Sequence, residues 1–143
     1  MCALSKPGDG VVIQPPVYPP FASSVRANGR TLIENPIVET PDGYRIDFDD
    51  LDRKLAGARL LLFCNPHNPT GRVLTRDELT KVGELCCKHN VLIISDEIHS
   101  DLVQKPYHHT HIARNFEAFC RSMGLTPIDV ACNQSAQAIT SSL

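Results

Sequence analysis

The chain has 143 residues, 42% of them hydrophobic and 21% charged, with a formal net charge of −2, a profile that fits one ordinary globular domain. Its longest apolar run, Leu60 to Cys64, is far short of the roughly 20 residues a bilayer demands, so no membrane-spanning helix is expected. The near-neutral balance without a Lys/Arg cluster argues against a nucleic-acid footprint. Six cysteines without a C-x-x-C pair, behind a Met1 to Pro7 start with no apolar or basic leader, predict reduced thiols and a cytoplasmic location.

Turn formers at Lys6 to Gly10 lead into Val11-Val12-Ile13, a short β-branched run that reads as a buried strand. Pro15, Pro16, Pro19 and Pro20 then forbid regular pairing and hold Tyr18 on a stiff loop beyond that strand. Phe21 to Ala27 reads as a short helix closed by Asn28-Gly29, and Thr31 to Glu34 as a strand. After a turn at Thr40 to Gly43, Asp47 is placed to cap a helix over Asp49 to Ala58. Arg59 to Cys64 is a continuous apolar strand, and Asn65 to Gly71 a loop with two prolines and a glycine.

Thr75 and Glu78 have capping-box spacing, so a helix starts at Thr75. Its apolar face is Leu79, Val82, Leu85 and Cys86, and Asn90 is a left-handed stop. Val91 to Ile94 reads as a second strand, apolar on both faces. Strand, helix and strand of this composition make a βαβ unit, and the fold class that follows is α/β with a mostly parallel sheet. Further on, a helix over Ile112 to Met123, a strand over Leu125 to Ala131 and a frayed polar end from Gln134 are predicted.

Ligands of open α/β sheets bind at the carboxyl ends of the strands. That rule sends Asn68, Asp96 and His99 to one cleft. Asp96 follows a buried strand, where an unpaired carboxylate is costly, so a cationic or hydrogen-bonding partner is expected for it. Cys64-x-x-His67, Asp96-x-x-His99 and His108-His109-x-His111 have ligand-like spacing, but the doubled pairs of structural zinc sites are missing, and no metal is predicted. Cys86 and Cys87 read as helix thiols near the core, and Lys105 to His109 as an exposed loop.

The segments Asp9 to Tyr18, Asp42 to Phe48, Cys64 to Val73 and Ser95 to Leu102, in that order, resemble the fold-type-I pyridoxal-phosphate enzymes. Within them the chain is similar to the cystathionine β-lyase (carbon-sulfur lyase) branch, related to the class I/II aminotransferases, over residues 3–113. The resemblance implies part of a three-layer large domain, with pyridoxal 5'-phosphate as cofactor and an amino acid such as cystathionine as substrate. It also implies a homodimer, with neither nucleic acid nor membrane as partner. Asp96 would pair with the pyridinium nitrogen, Asn68 would donate to the ring's phenolic oxygen, His99 would lie near that oxygen, and Tyr18 would stack on the ring.

Parts of the family pattern are not matched. Its Schiff-base lysine follows a serine further along, where this chain reads Ala131 to Gln137, and no lysine follows Lys105. No catalytic residue is therefore assigned. Neither the phosphate-gripping glycine turn nor the substrate-carboxylate arginine has a counterpart. The expected organisation is a partial cofactor-binding domain over 1–113 and a divergent tail over 114–143, the change near Ala113 marking a frame change or fragment boundary. Two functions follow: part of a carbon-sulfur β-lyase, or a remnant without activity.

Overall fold

The computed structural model describes residues 1–114 and the backbone of 131–133. Five parallel strands form one sheet: β1 (Gly10–Ile13), β2 (Thr31–Glu34), β5 (Leu60–Cys64), β6 (Leu92–Asp96) and β7 (Ala131–Asn133), in the order β2-β1-β5-β6-β7. Between β2 and β5 the chain forms an antiparallel hairpin, β3 (Ile37–Thr40) and β4 (Gly43–Ile46), and then helix α2 (Phe48–Leu55). Helix α1 (Pro20–Ala27) links β1 to β2, and α3 (Arg76–His89) links β5 to β6.

The period of 2 along each strand explains the two layers. Val12, Leu61, Phe63 and Ile93 point to one side, where Leu51 and Leu55 of α2 and Leu79, Val82 and Cys86 of α3 cover them. Val11, Ile13, Leu60 and Leu62 point to the other, against Val25 and Phe21 of α1 and the amino-terminal Met1 and Leu4. β1 and β5 are buried throughout, as central parallel strands require. Gly10 opens β1 under steric pressure, since a Cβ there would lie 2.5 Å from the Gly57 carbonyl oxygen.

The helix ends follow their capping chemistry. Asp47 accepts from the Asp50 N–H and starts α2, although the helix ends at Leu55, before the expected Ala58. Thr75 and Glu78 form the complete capping box of α3, and Asn90 closes it in the left-handed conformation (φ 55°, ψ 42°). One expectation shifts, one element is new, and two lie mostly outside the described residues. The second strand is Leu92–Asp96, and its two faces are unequal, with Ile93 and Ser95 buried and Leu92, Ile94 and Asp96 half-buried. The hairpin strands went unread beside their turn, because Ile37–Thr40 shows no alternation and the alternating Gly43–Ile46 is only 4 residues long. The helix predicted to Met123 begins at Ile112 but lies mostly outside the described residues, as does the strand over Leu125 to Ala131.

Candidate functional site

The sheet order reverses at one place. From β1 the chain steps outward to β2 and then returns to the other flank of β1 as β5. A crevice is therefore expected beyond the carboxyl ends of β1 and β5, where the following loops diverge. A cavity of about 260 Å³ lies there, lined by Tyr18, Cys64, Asn68, Asp96, Ile98 and His99. All four predicted site residues share it. Tyr18 comes from the loop after β1, Asn68 from the loop after β5, and Asp96 ends β6 in register with Cys64. A larger hollow of about 930 Å³ opens beside the edge strand β2, lined by Arg26, Glu34, Asp50 and Lys54 among others. It lies against the outer strand, away from the crevice between β1 and β5, and contains none of these four residues, so the smaller cavity is the candidate.

The Asn65-to-Gly71 loop is held from several sides. The Asn65 N–H donates to the Asp96 carbonyl (3.0 Å), which ties the ends of β5 and β6 together. Its buried side-chain oxygen accepts from the Leu74 N–H (3.0 Å). The His67 N–H donates to Arg72 O (2.8 Å), and the Gly71 N–H to His67 O (2.7 Å), with Gly71 at φ +70°, a conformation that favours glycine. The His67 ring lies between Thr70 Oγ1 (2.8 Å) and Gln14 O (3.2 Å). Arg72 then pairs with Glu78, joining the loop to the capped end of α3.

Asp96 accepts a hydrogen bond from the Ile98 N–H (3.2 Å). The expected partner is thus a backbone amide, and no cationic side chain pairs with this carboxylate among the described residues. Cys64 donates to Pro66 O (3.3 Å), and its thiol pKa is pushed to about 11, chiefly by burial and further by Asp96, against an opposing contact with the Asn68 backbone. Burial lowers the pKa of His67, the Gln14 carbonyl opposes that, and the Arg72 charge adds to it. Tyr18 is 48% exposed and meets Phe21 edge-on, with ring centroids 6.4 Å apart, so its outer face is available to a ligand.

A second polar cluster was missed. Alternation along β6 and its continuation sends Asp96 toward the cavity and its neighbours Ser95 and Glu97 into the interior. Glu97, 2% exposed, accepts from Ser95 Oγ (2.9 Å), the Ile112 N–H (3.1 Å), His109 Nε2 (2.9 Å) and His111 Nδ1. Burial raises its pKa, but the four donors, led by His109 and His111, outweigh that and hold it below the usual carboxylate range. The loop over Lys105 to His109 is therefore exposed only as far as His108, because His109 turns in to meet Glu97. Glu97, His109 and His111 bring their ligand atoms within 4.8 Å of one another, and both rings bond directly to the carboxylate. The available signal was the acidic pair at a strand end followed by His-x-His. Cys64 and His67 turn to different partners.

The family model for aminotransferase class I and II matches residues 1–136. Cystathionine beta-lyase PatB of Bacillus subtilis (strain 168) is 51% identical over 113 residues, 78% of this chain and 29% of that protein. The crystal structure of cystalysin from Treponema denticola, which contains a pyridoxal 5'-phosphate cofactor, superposes with a TM-score of 0.75 at 39% identity, covering 84% of this chain and 30% of that one. The PLP-bound C-S lyase of Staphylococcus hominis gives a TM-score of 0.76 at 34% identity over 79% of this chain and 29% of its own. This chain spans less than a third of the length of these relatives.

Proposed function

Because the chain belongs to the class I and II aminotransferase family, we propose that it provides part of the pyridoxal 5'-phosphate pocket of a carbon-sulfur β-lyase acting on an amino acid such as cystathionine. The observation that carries this reading is the convergence of Tyr18, Asn68, Asp96 and His99 on one cavity at the strand ends. The donor set suits the group. Asp96 is a half-buried carboxylate without a cationic partner among the described residues, the anion that a protonated ring nitrogen needs. Asn68 carries an amide donor for a phenolic oxygen, and Tyr18 offers an aromatic face for offset stacking. When bound, the cofactor supplies a ring that withdraws electrons from a substrate carbanion. Asp96 would hold the proton at the ring nitrogen, Asn68 would donate to the phenolic oxygen, His99 would lie near that oxygen, and Tyr18 would stack on the ring.

Residues 1–113, which include the whole cavity lining, form the cofactor-binding part in this reading, and 114–143 form a departing tail, although the family match runs on to residue 136. No lysine follows Lys105, and among the described residues no lysine lines the cavity. That observation favours a second reading, a chain without activity of its own, since the lysine is both nucleophile and base in the resemblance. Among the described residues Cys2, Cys64 and Cys86 carry thiols outside any disulfide, which suits the proposed cytoplasmic location. No helix among the described residues is long and apolar enough to cross a membrane. The homodimer of the resemblance remains part of the proposal.

The test is titration of the chain with pyridoxal 5'-phosphate, followed by cofactor absorbance and equilibrium dialysis, alongside pyruvate release from cystathionine. The expected result is saturable binding that Asp96→Ala weakens about tenfold or more, as for loss of a charge-assisted contact, without pyruvate release. Binding indifferent to Asp96→Ala would sink the pocket assignment. Steady pyruvate release abolished by the same substitution would overturn the inactive reading.

A further inference from the structure

We propose that His67 is a positioning residue: as a neutral imidazole it staples the loop that carries Asn68 to the strand end that leads into Tyr18, and so fixes two walls of the cavity relative to each other. What the cavity holds rests on the reading above. The staple itself rests on contacts.

His67 Nε2 lies 3.2 Å from the Gln14 carbonyl oxygen, bridging 53 residues of sequence. A carbonyl only accepts, so Nε2 carries the proton and Nδ1 presents its lone pair. The Thr70 hydroxyl, 2.8 Å from Nδ1, therefore donates to the ring, while its oxygen accepts from the Arg72 N–H (3.4 Å). One tautomer satisfies both sides. The ring is 5% exposed at residue level, so water does not replace either bond.

Both ends of the staple are rigid. On the loop side, His67 sits in a closed turn, its N–H on Arg72 O and its carbonyl accepting from the Gly71 N–H; Asn68 is the next residue. On the strand side, the Gln14 amide donates to Asn35 Oδ1 (2.9 Å), and Asn35 donates to Asp47 O (3.1 Å) and Asp50 Oδ2 (3.0 Å). Only Pro15, Pro16 and Val17 separate Gln14 from Tyr18, and the two prolines pass any shift at Gln14 along a stiff backbone. The cavity thus takes Asn68 and Tyr18 from segments that meet at one imidazole.

The titratable and charged groups around the ring are few. Arg72, itself paired with Glu78, and the Cys64 thiol line the small void against which His67 packs, and among the described residues no carboxylate lines it. A second positive charge there would be buried without a counter-ion. Protonation therefore opposes the staple, and the arrangement holds above the histidine range and weakens below it.

The experiment uses the 143-residue chain, wild type with His67→Gln, His67→Ala and Val82→Ala. Long-range nitrogen–proton NMR spectra read the imidazole tautomer, and the Asn68 side-chain amide and Tyr18 ring signals read the two walls. Pyridoxal 5'-phosphate titration reads their consequence. Glutamine can donate to Gln14 O and accept from Thr70, so it should restore the wall signals and most of the affinity. Alanine should move the signals of both walls and weaken binding about tenfold, as loss of a hydrogen-bonded bridge implies. Val82→Ala empties a core position remote from the cavity and should lower stability without moving the walls.

A single Nε2–H tautomer, with walls that move together in His67→Ala and return in His67→Gln, supports the staple. A mixed tautomer, walls indifferent to His67→Ala, or equal wall and affinity effects in Val82→Ala would overturn it. If the wild type binds no pyridoxal 5'-phosphate, the cofactor reading fails, and the tautomer and wall signals still decide the staple.

Discussion

Among the described residues, Glu97 is a buried carboxylate that accepts from four donors. Each of them, Ser95 Oγ, His109 Nε2, His111 Nδ1 and the Ile112 N–H, would lose a hydrogen bond if Glu97 were removed. Glu97→Ala should cost about 3 kcal/mol, since buried donors would be left unpaired. The folded-state pKa lies below the ordinary value of 4.5, so the stabilisation from ionised Glu97 is fully present above that value and is lost as pH falls through the folded pKa. Urea unfolding from pH 7 to pH 3 checks both points: the wild-type midpoint should fall steeply below about pH 4.5 and that of the variant much less. The cysteines give a second residue-scale test. With its thiol pushed to about 11 and 4% of its surface exposed, Cys64 should resist iodoacetamide at pH 8 in the native chain while exposed Cys2 reacts. Mass-spectrometric mapping would refute this if Cys64 were alkylated at the rate of Cys2.

At the scale of elements, α3 was legible and the β3–β4 hairpin was not. The capping box of Thr75 and Glu78, the spacing of Leu79, Val82 and Cys86, and the Asn90 stop are all local signals, and each one stands in the folded helix. Thr75→Ala should therefore lower stability by about 1 kcal/mol, read as a shift of the denaturation midpoint; an unchanged midpoint would mean the Glu78 carboxylate caps the helix alone. The hairpin lacks such signals. Ile37 pairs with Ile46 and Val38 with Arg45; β3 shows no alternation of burial, and β4, which does alternate, is only 4 residues long, too short to stand out as a half-buried ribbon. The loop after β6 was misread for a related reason. His109 looks like one more polar loop residue until Glu97, twelve positions earlier, is brought against it.

Across the whole molecule, the two-layer arrangement makes a graded prediction. Leu61 and Leu62 are neighbours in β5, yet they belong to opposite core clusters. Both Leu61→Ala and Leu62→Ala should destabilise by about 2–5 kcal/mol, because β5 is buried on both faces. Leu32→Ala on the edge strand β2, where the side chain is only partly buried, should cost clearly less. Chemical denaturation of the three variants measures this, and a mild effect for either β5 substitution would contradict a doubly covered sheet.

The sequence by itself determined what depends on near neighbours: the helix caps, the apolar strands, the α/β class, the standing of Asn68, Asp96 and His99 at strand ends, and the stiff loop that carries Tyr18 beyond β1. It also carried the family resemblance, since four ordered segments hold their spacing without reference to coordinates. The βαβ pattern already set the ends of β5 and β6 side by side, and tertiary structure alone decided that the end of β1 adjoins them. The reversal of order at β1 brings the Tyr18 loop beside the Asn68 loop, and the His67 staple and the Glu97 cluster each join residues that no periodicity connects. The physical reason is that caps and alternation are satisfied within a few residues of backbone, whereas a buried carbonyl or carboxylate takes its partner from whatever the packed sheet places within hydrogen-bond reach.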